Sequence, residues 1–313
     1  MKTRICLVVL LLFVSALSTH VSGAQAATRY IGSCGTPSYE TIQDGVDAAL
    51  SGETVLVCPG TYTEVVVVDK AITLTGEGAT IKPDDTTALL DQSVRRAAIY
   101  VTADEATVQG FEIDGTAGTV HYGVYVYNAN DVTVAKNTIH DMTNEIADPV
   151  SDKAGVGILF FGWGQGIEGA TIDRNTIYNT GRHGIFIGGE DSAGHWLLST
   201  GVISRNTVFN SWQGPTDDAG GAIQINGARY CVVGNNNVHH TGQPTAGTFY
   251  PGIYLAGTVG GTVWGSNLHQ NLYGLVVWVD SSFVVFGTSA PTMPTLAKNN
   301  LHGNDVKNLW TIP

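Results

Sequence analysis

Between residues 134 and 301 the chain repeats one pattern of positions: apolar, two residues, Asn, one residue, apolar. The copies are Val134-Ala-Lys-Asn137-Thr-Ile139, Ile172-Asp-Arg-Asn175-Thr-Ile177, Ile203-Ser-Arg-Asn206-Thr-Val208, Val233-Gly-Asn-Asn236-Asn-Val238 and Leu296-Ala-Lys-Asn299-Asn-Leu301. Val263-Trp-Gly-Ser266-Asn-Leu268 carries Ser in the Asn column. Successive column residues lie 38, 31, 30, 30 and 33 positions apart, and a near-constant period of this size predicts a solenoid of stacked coils. A second column begins with Gly and continues in alternating apolar residues: Gly123-Val-Tyr-Val126, Gly157-Ile-Leu-Phe160, Gly184-Ile-Phe-Ile187, Gly252-Ile-Tyr-Leu255 and Gly274-Leu-Val-Val277, with Ala222-Ile-Gln-Ile225 in the same frame. Period-two alternation rich in β-branched and aromatic residues predicts strands. Each repeat therefore carries three: one beginning near the Gly, one ending before the Asn and one just after it.

Three short strands per turn, each stacked on its counterpart at ~4.8 Å, describe an all-β fold, a single-stranded right-handed parallel β-helix solenoid. A leucine-rich repeat shares the L-x-x-N-x-L fragment, but its repeats are shorter, Leu-dominated and often helical on one side. These repeats are β-branched, Gly-rich and without a helical period. The Asn column is expected to serve structure, because Asn tolerates the left-handed backbone of a tight turn and stacked amides hydrogen-bond from coil to coil. Residues 41–50 form the amphipathic helix candidate, expected to cap the N-terminal end of the solenoid, where core side chains and strand edges would otherwise meet water. The expected organisation is a cap with the first strands over 27–70, continuous with coils over 71–313 as one domain.

The run Tyr39-Glu-Thr-Ile-Gln-Asp-Gly-Val-Asp-Ala-Ala-Leu50, followed by Gly52, Thr54-Val-Leu-Val57 and Pro59-Gly-Thr-Tyr-Thr-Glu64, resembles the entry segment of pectin-lyase-like right-handed β-helix repeat proteins, a group that includes pectinesterases. The resemblance implies the fold and a polysaccharide partner, and does not select one activity. The catalytic Asp motifs of pectinesterases and their later Arg-Pro-Trp segment are not found. Asp217-Asp218 is similar to the paired aspartates of polygalacturonases, yet Gly194-His195 precedes them instead of following.

Composition excludes several classes. With 39 Gly and 13% charged residues the chain does not suit a helix bundle, and a net charge of −12 does not suit a nucleic-acid partner, which needs a basic footprint. Lys2 and Arg4 precede an apolar run from Ile5 to Leu17, and Ala24-Gln25-Ala26 offers a cleavage site, so residues 1–26 read as a secretory signal peptide. The protein is expected to be secreted, whether extracellular, periplasmic or at the cell surface. No other stretch approaches the ~20 apolar residues of a membrane span, so no membrane insertion is expected. Without Lys2 and Arg4 the 15 basic residues become 13 against 27 acidic ones, a balance of −14. Export permits disulfides. Cys6 leaves with the signal, Cys34 and Cys58 flank the cap segment and are expected to pair, and Cys231, in phase with Val233, reads as a buried thiol. A monomer is expected.

Long segments at about 141–153, 210–220 and 240–250 enter the Gly-led strands, and long loops on a rigid scaffold commonly carry function. In the families that the chain resembles, the substrate groove runs over that strand. Lys153, Arg182 and His183 precede it on adjacent coils. β-Elimination from a uronate needs a cation to neutralise the carboxylate and a base to remove the adjacent proton. Arg182 would hold the carboxylate in bidentate fashion, with Lys153 or His183 as base; the plainer alternative is surface charges pairing with Asp152 or Asp218. Hydrolysis would instead use two carboxylates, drawn from Asp217 and Asp218 with Glu190 and Asp191. No cofactor is required, although Glu190 and Asp191 are the residue types that hold Ca²⁺. A platform for sugar rings would come from Tyr125, Phe186, Tyr254 and Trp278 on strands, from Trp163, Trp196, Trp212 and Tyr250 in loops, and from Gln224. His239 and His240, adjacent on one strand, are expected on opposite sides, and no His shows metal-motif spacing.

The reading is a secreted polysaccharide-active β-helix protein, with a lyase on a uronate-containing polymer first. A non-catalytic carbohydrate-binding or surface-interaction solenoid and a glycoside hydrolase are the alternatives.

Overall fold

In the computed structural model the three strands of each repeat stack on their equivalents in parallel, so the chain winds as three sheets of 11, 9 and 11 strands. The structure describes residues 27–84, 96–117, 120–142, 155–212, 220–241, 249–279, 282, 284–287, 290–305 and 307–312. In the first sheet Val134, Ile172, Ile203, Val233, Val263 and Leu296 stand in one file. Ile139, Ile177, Val208, Val238, Leu268 and Leu301 do so in the second, and Val124, Ile158, Ile185, Ile223, Ile253 and Leu275 in the third. These files face one another across the interior and form one continuous apolar core. Period-two alternation thus sends every second residue inward and leaves the intervening ones for the outer faces.

The Asn column holds the corner between the first and second sheets. Asn137, Asn175 and Asn206 each accept, through Oδ1, the backbone N–H of the column residue one coil earlier, at 2.9–3.0 Å. Asn206 in turn donates its N–H to Asn236, at 3.0 Å. Their Nδ2 groups donate to Val108, Val134, Ile172 and Ile203 carbonyls at 2.9–3.2 Å. Ser266 and Asn299 continue the line. One detail differs from the sequence expectation: the left-handed residue is the one before each Asn. Lys136, Arg174, Arg205, Asn235 and Lys298 have φ between 54° and 57°. The turn residue points its side chain outward, where size is unconstrained, while the Asn faces inward so that its amide spans two coils. A second ladder, formed by the Thr241 N–H, Asn271 and Asn304, holds a different corner.

The cap helix runs Ile42–Ala48, with the Thr41 hydroxyl accepting the Asp44 N–H and the Glu64 carboxylate accepting those of Ile42 and Gln43 at 2.8 and 3.0 Å. It is shorter than the ten-residue segment expected, and Leu50 beyond it is 67% exposed. Ile42 and Val46 join the core. Strands at Thr28–Ile31 and Thr54–Val57 belong to the first sheet, so the cap and the coils share one hydrogen-bond network. Cys34 and Cys58 form a disulfide, with Cα atoms 5.7 Å apart. Cys231 is free and buried, and burial pushes its thiol up to about 12. Among the described residues no helix is long and apolar enough to cross a membrane.

Candidate functional site

The outer face of the third sheet carries the file Tyr100, Tyr125, Leu159, Phe186, Gln224, Tyr254, Val276 and Trp310. Alternation sets these side chains outward, as expected. Exposure does not follow. Tyr125, Phe186, Trp212, Gln224, Tyr250 and Tyr254 are all buried, so they do not form an open platform. The cause is mutual coverage: Tyr100 and Tyr122 pack on Tyr125 at 5.3 and 5.2 Å, and Phe249 packs on Tyr254 at 5.3 Å. A hairpin pairing Glu190 with Trp196 folds the Trp196 ring over Phe186 at 5.6 Å. Trp196 and Trp278 are half-buried, and Trp163 is exposed.

Arg182 and His183 sit at the entrance of the strand Ile185–Glu190. His183 is 1% exposed, and its ring lies 5.0 Å from both Phe186 and Trp212. Its Nδ1 is 2.8 Å from the Gly221 carbonyl, which also accepts the Trp212 indole N–H at 3.3 Å. A carbonyl only accepts, so Nδ1 carries the proton and Nε2 holds the lone pair. Nε2 is buried and has no hydrogen-bond partner among the described residues. Burial first, and the neighbouring Arg182 charge second, hold His183 well below the usual imidazole range, so it is neutral at pH 7. The Arg182 guanidinium lies 5.6 Å over the Trp212 ring, and burial lowers its pKa. Gln224 completes the wall, accepting the Gly221 N–H at 3.0 Å and donating to Asn226 at 2.9 Å. Tyr250 stacks on Trp212 at 5.1 Å. Arg182, His183, Phe186, Trp212, Gln224 and Tyr250 are therefore one cluster. Lys153, Asp217 and Asp218 lie outside the described residues, as do residues 1–26.

The acids that leave the strand act locally. Asp191 Oδ1 accepts the backbone N–H groups of Ala193 and His195, both at 2.9 Å, and Oδ2 faces His195 Nδ1 at 3.3 Å. These bonds, the backbone one from His195 above all, hold its carboxyl below the usual range. Asp191 is thus a turn cap whose oxygens are already engaged. Glu190 adds one carboxylate, and among the described residues no three His, Cys, Asp or Glu converge on a metal position.

Two outer features escaped the sequence reading. On the second sheet His140, Tyr178, Phe209, His239, His269 and His302 stack as near-parallel rings, with centroids 4.9–5.3 Å apart. Each stands three positions after the Asn column, so extending the repeat by one column exposes the file. His239 and His240 do not diverge: their Nδ1 atoms are 2.7 Å apart. Strand alternation fails there because His240 is left-handed, with φ 55°, which ends the strand and turns its side chain back. The second feature is a line of cations at the Asn corner: Lys136, Arg174 and Arg205, the last two bonded to Asp173 at 3.1 and 2.7 Å.

The geometry defines the class first: a parallel β-helix of three sheets whose corners are held by side-chain ladders. A family model for the right-handed β-helix region matches residues 122–308, more than half of the chain, and the chain belongs to that family. A cell surface glycoprotein of Methanothermus fervidus (strain ATCC 43054 / DSM 2088 / JCM 10308 / V24 S) is 28% identical over 138 residues, 44% of this chain. That match spans 21% of the glycoprotein, about a fifth of its length. Among solved structures, XylC in complex with xylose is similar with a TM-score of 0.50 and 13% identity, covering 83% of this chain and 66% of that one. Pectin methylesterase PemA from Erwinia chrysanthemi gives a TM-score of 0.40 and 12% identity, covering 85% of this chain and 92% of that one. At such identities the likeness is one of fold.

Proposed function

We propose that the protein is an extracytoplasmic, polysaccharide-active β-helix that cleaves a uronate-containing chain by β-elimination at the Arg182–His183 cluster. The observation that carries this reading is the state of His183. Its Nδ1–H is anchored on Gly221 and its Nε2 lone pair is unpartnered among the described residues, one residue from a cation. Arg182 neutralises the uronate carboxylate and so acidifies the adjacent C–H. His183 Nε2 takes that proton. The electron pair becomes the new C=C bond as the bond from the β-carbon to the glycosidic oxygen breaks, and the leaving oxygen takes a proton from water or from the imidazolium. Lys153, outside the described residues, is the other base in this proposal. No step is assigned to calcium. The signal-like pattern of residues 1–26 and the likeness to a cell surface glycoprotein support an extracytoplasmic setting.

Enclosure sets the condition on this reading, since a saccharide unit must displace what covers Nε2. The second reading, a carbohydrate-binding solenoid without turnover, is favoured instead by Trp163, which is 52% exposed and offers a ring face to a sugar. The test is a panel of uronate polymers, scored by the ultraviolet absorbance of the unsaturated product. Turnover is expected in the wild type, abolished by Arg182→Ala and lowered roughly 10²-fold by His183→Ala without weaker binding. Binding without product supports the second reading. Product with undiminished rates in both variants removes this site and leaves Asp217, Asp218, Glu190 and Asp191 to be tested for the hydrolase alternative.

A further inference from the structure

At the far edge of the second sheet one corner recurs along the solenoid, and its geometry explains the paired histidines. The last residue of the strand is followed by a residue in the left-handed region: Asp141 (φ 57°), Asn179 (54°), Asn210 (52°), His240 (55°) and Gln270 (54°). That conformation folds the second side chain back onto the first. His140 Nδ1 meets Asp141 Oδ2 at 2.7 Å, His239 Nδ1 meets His240 Nδ1 at 2.7 Å, and His269 Nδ1 meets Gln270 Oε1 at 3.1 Å. The juxtaposition is thus a property of the corner, repeated in three coils, and not an accident of one rotamer. In the His–Asp and His–Gln coils the second partner is an oxygen, which simply accepts the imidazole N–H. In the His239–His240 coil both partners are nitrogens, and one proton must serve the two lone pairs.

We propose that His239 and His240 chelate a divalent transition-metal ion through their two Nδ1 atoms. Imidazole nitrogen suits Cu²⁺, Ni²⁺ and Zn²⁺. With metal–nitrogen bonds of about 2.0–2.1 Å, two ligands at a right angle stand ~2.8–3.0 Å apart and two at a tetrahedral angle ~3.3–3.4 Å. The observed 2.7 Å is the span of one shared proton, so the two rings open slightly to admit an ion, and the order of affinities at nitrogen sites favours Cu²⁺ over Ni²⁺ and Zn²⁺. His240 is exposed and His239 half-buried, so the ion reaches the pair from solvent. With no third His, Cys, Asp or Glu converging there among the described residues, water completes the sphere. The ion takes the place of the shared proton, and the ring that held it at Nδ1 carries its proton at Nε2 instead, so both imidazoles ligate as neutral rings.

Neighbouring coils supply variants that keep the fold. His240→Asn installs the residue that already holds this left-handed corner at Asn179 and Asn210, and His239→Phe installs the ring that already stacks at Phe209. The full chain, purified without a polyhistidine tag, is titrated with Ni²⁺ and with Zn²⁺ by calorimetry, and with Cu²⁺ by its visible absorption band. The expected result is saturable one-to-one binding, tightest for Cu²⁺, weakened at least tenfold in each variant and unchanged in Asp141→Asn. Absence of saturable binding overturns the proposal. So does binding that survives both histidine variants, or that is lost only in Asp141→Asn, which would place the ion at His140.

Discussion

Asn206 and His183 are both polar, both 1% exposed and both set where the chain turns between strands, yet their surroundings are opposite. Asn206 Oδ1 accepts from the Asn175 backbone and side chain at 2.9 and 3.0 Å, and its Nδ2 donates to Ile172 and Asn236 at 2.9 and 3.0 Å. Every hydrogen-bonding atom of the amide is matched. Among the described residues His183 has one nitrogen matched and one not. Buried polar groups are nearly always satisfied, because an unmade hydrogen bond is far costlier than a made one is favourable. One position is optimised for stability, and the other keeps a polar atom in reserve.

The sharpest way to break the comparison is Asn206→Leu. It leaves the Asn175 N–H and the Ile172 carbonyl unpartnered, at about 1–3 kcal/mol each, so a loss of roughly 2 kcal/mol or more is expected from urea midpoints. A loss below about 1 kcal/mol would mean that the ladder is ornamental. Acid gives the next effect. The folded pKa of His183 is depressed below its unfolded value of about 6.5, so the unfolded chain binds the extra proton. Stability is full above that value and falls as pH drops beneath it, by up to ~1.4 kcal/mol per pH unit for one group. His239 shifts in the same direction, so the quantity to measure is the difference in slope between the wild type and His183→Phe. At pH 7 that same variant should change stability by no more than about 1 kcal/mol in either direction. It removes an unsatisfied nitrogen while the Trp212 N–H still serves Gly221, and replacing an unmatched polar group by a ring of like shape is nearly neutral. The smallest effect is Lys136→Ala. Its side chain is exposed at the corner, and thermal melts should detect less than ~0.5 kcal/mol.

Much of the fold was legible because each repeat shows its inward residues every second position and its corner every thirty or so. The files through Ile172 and Ile177 follow directly from that period. What alternation alone does not report is the state of the residues it points outward. Phe186 and Tyr254 face away from the core as expected, but whether a ring meets water or another ring depends on neighbours far apart in sequence, such as Trp196 and Phe249. The left-handed positions were displaced by one because Asn is known for both roles, turning and bridging. Here it bridges, and Lys136, Arg174 and Arg205 turn. The second ladder was invisible because Thr241, Asn271 and Asn304 present no single residue type. Arg182 and His183 were found by their place before a strand. The unmatched nitrogen that makes the site interesting depends on which side chain takes the Gly221 carbonyl, and no sequence spacing encodes that.

The Asn corner also makes the molecule divisible. Each copy is the same joint between a first-sheet and a second-sheet strand, so cutting the chain at two such joints and rejoining the ends gives a joint like those removed. Excising residues 207–236, which number 30, would place Asn206 directly before Asn237 and Val238. Asn206 would then face Ser266, the partner Asn236 has now at 3.3 Å. The protein is in this sense built in whole turns, and its natural increments of growth and loss are coils.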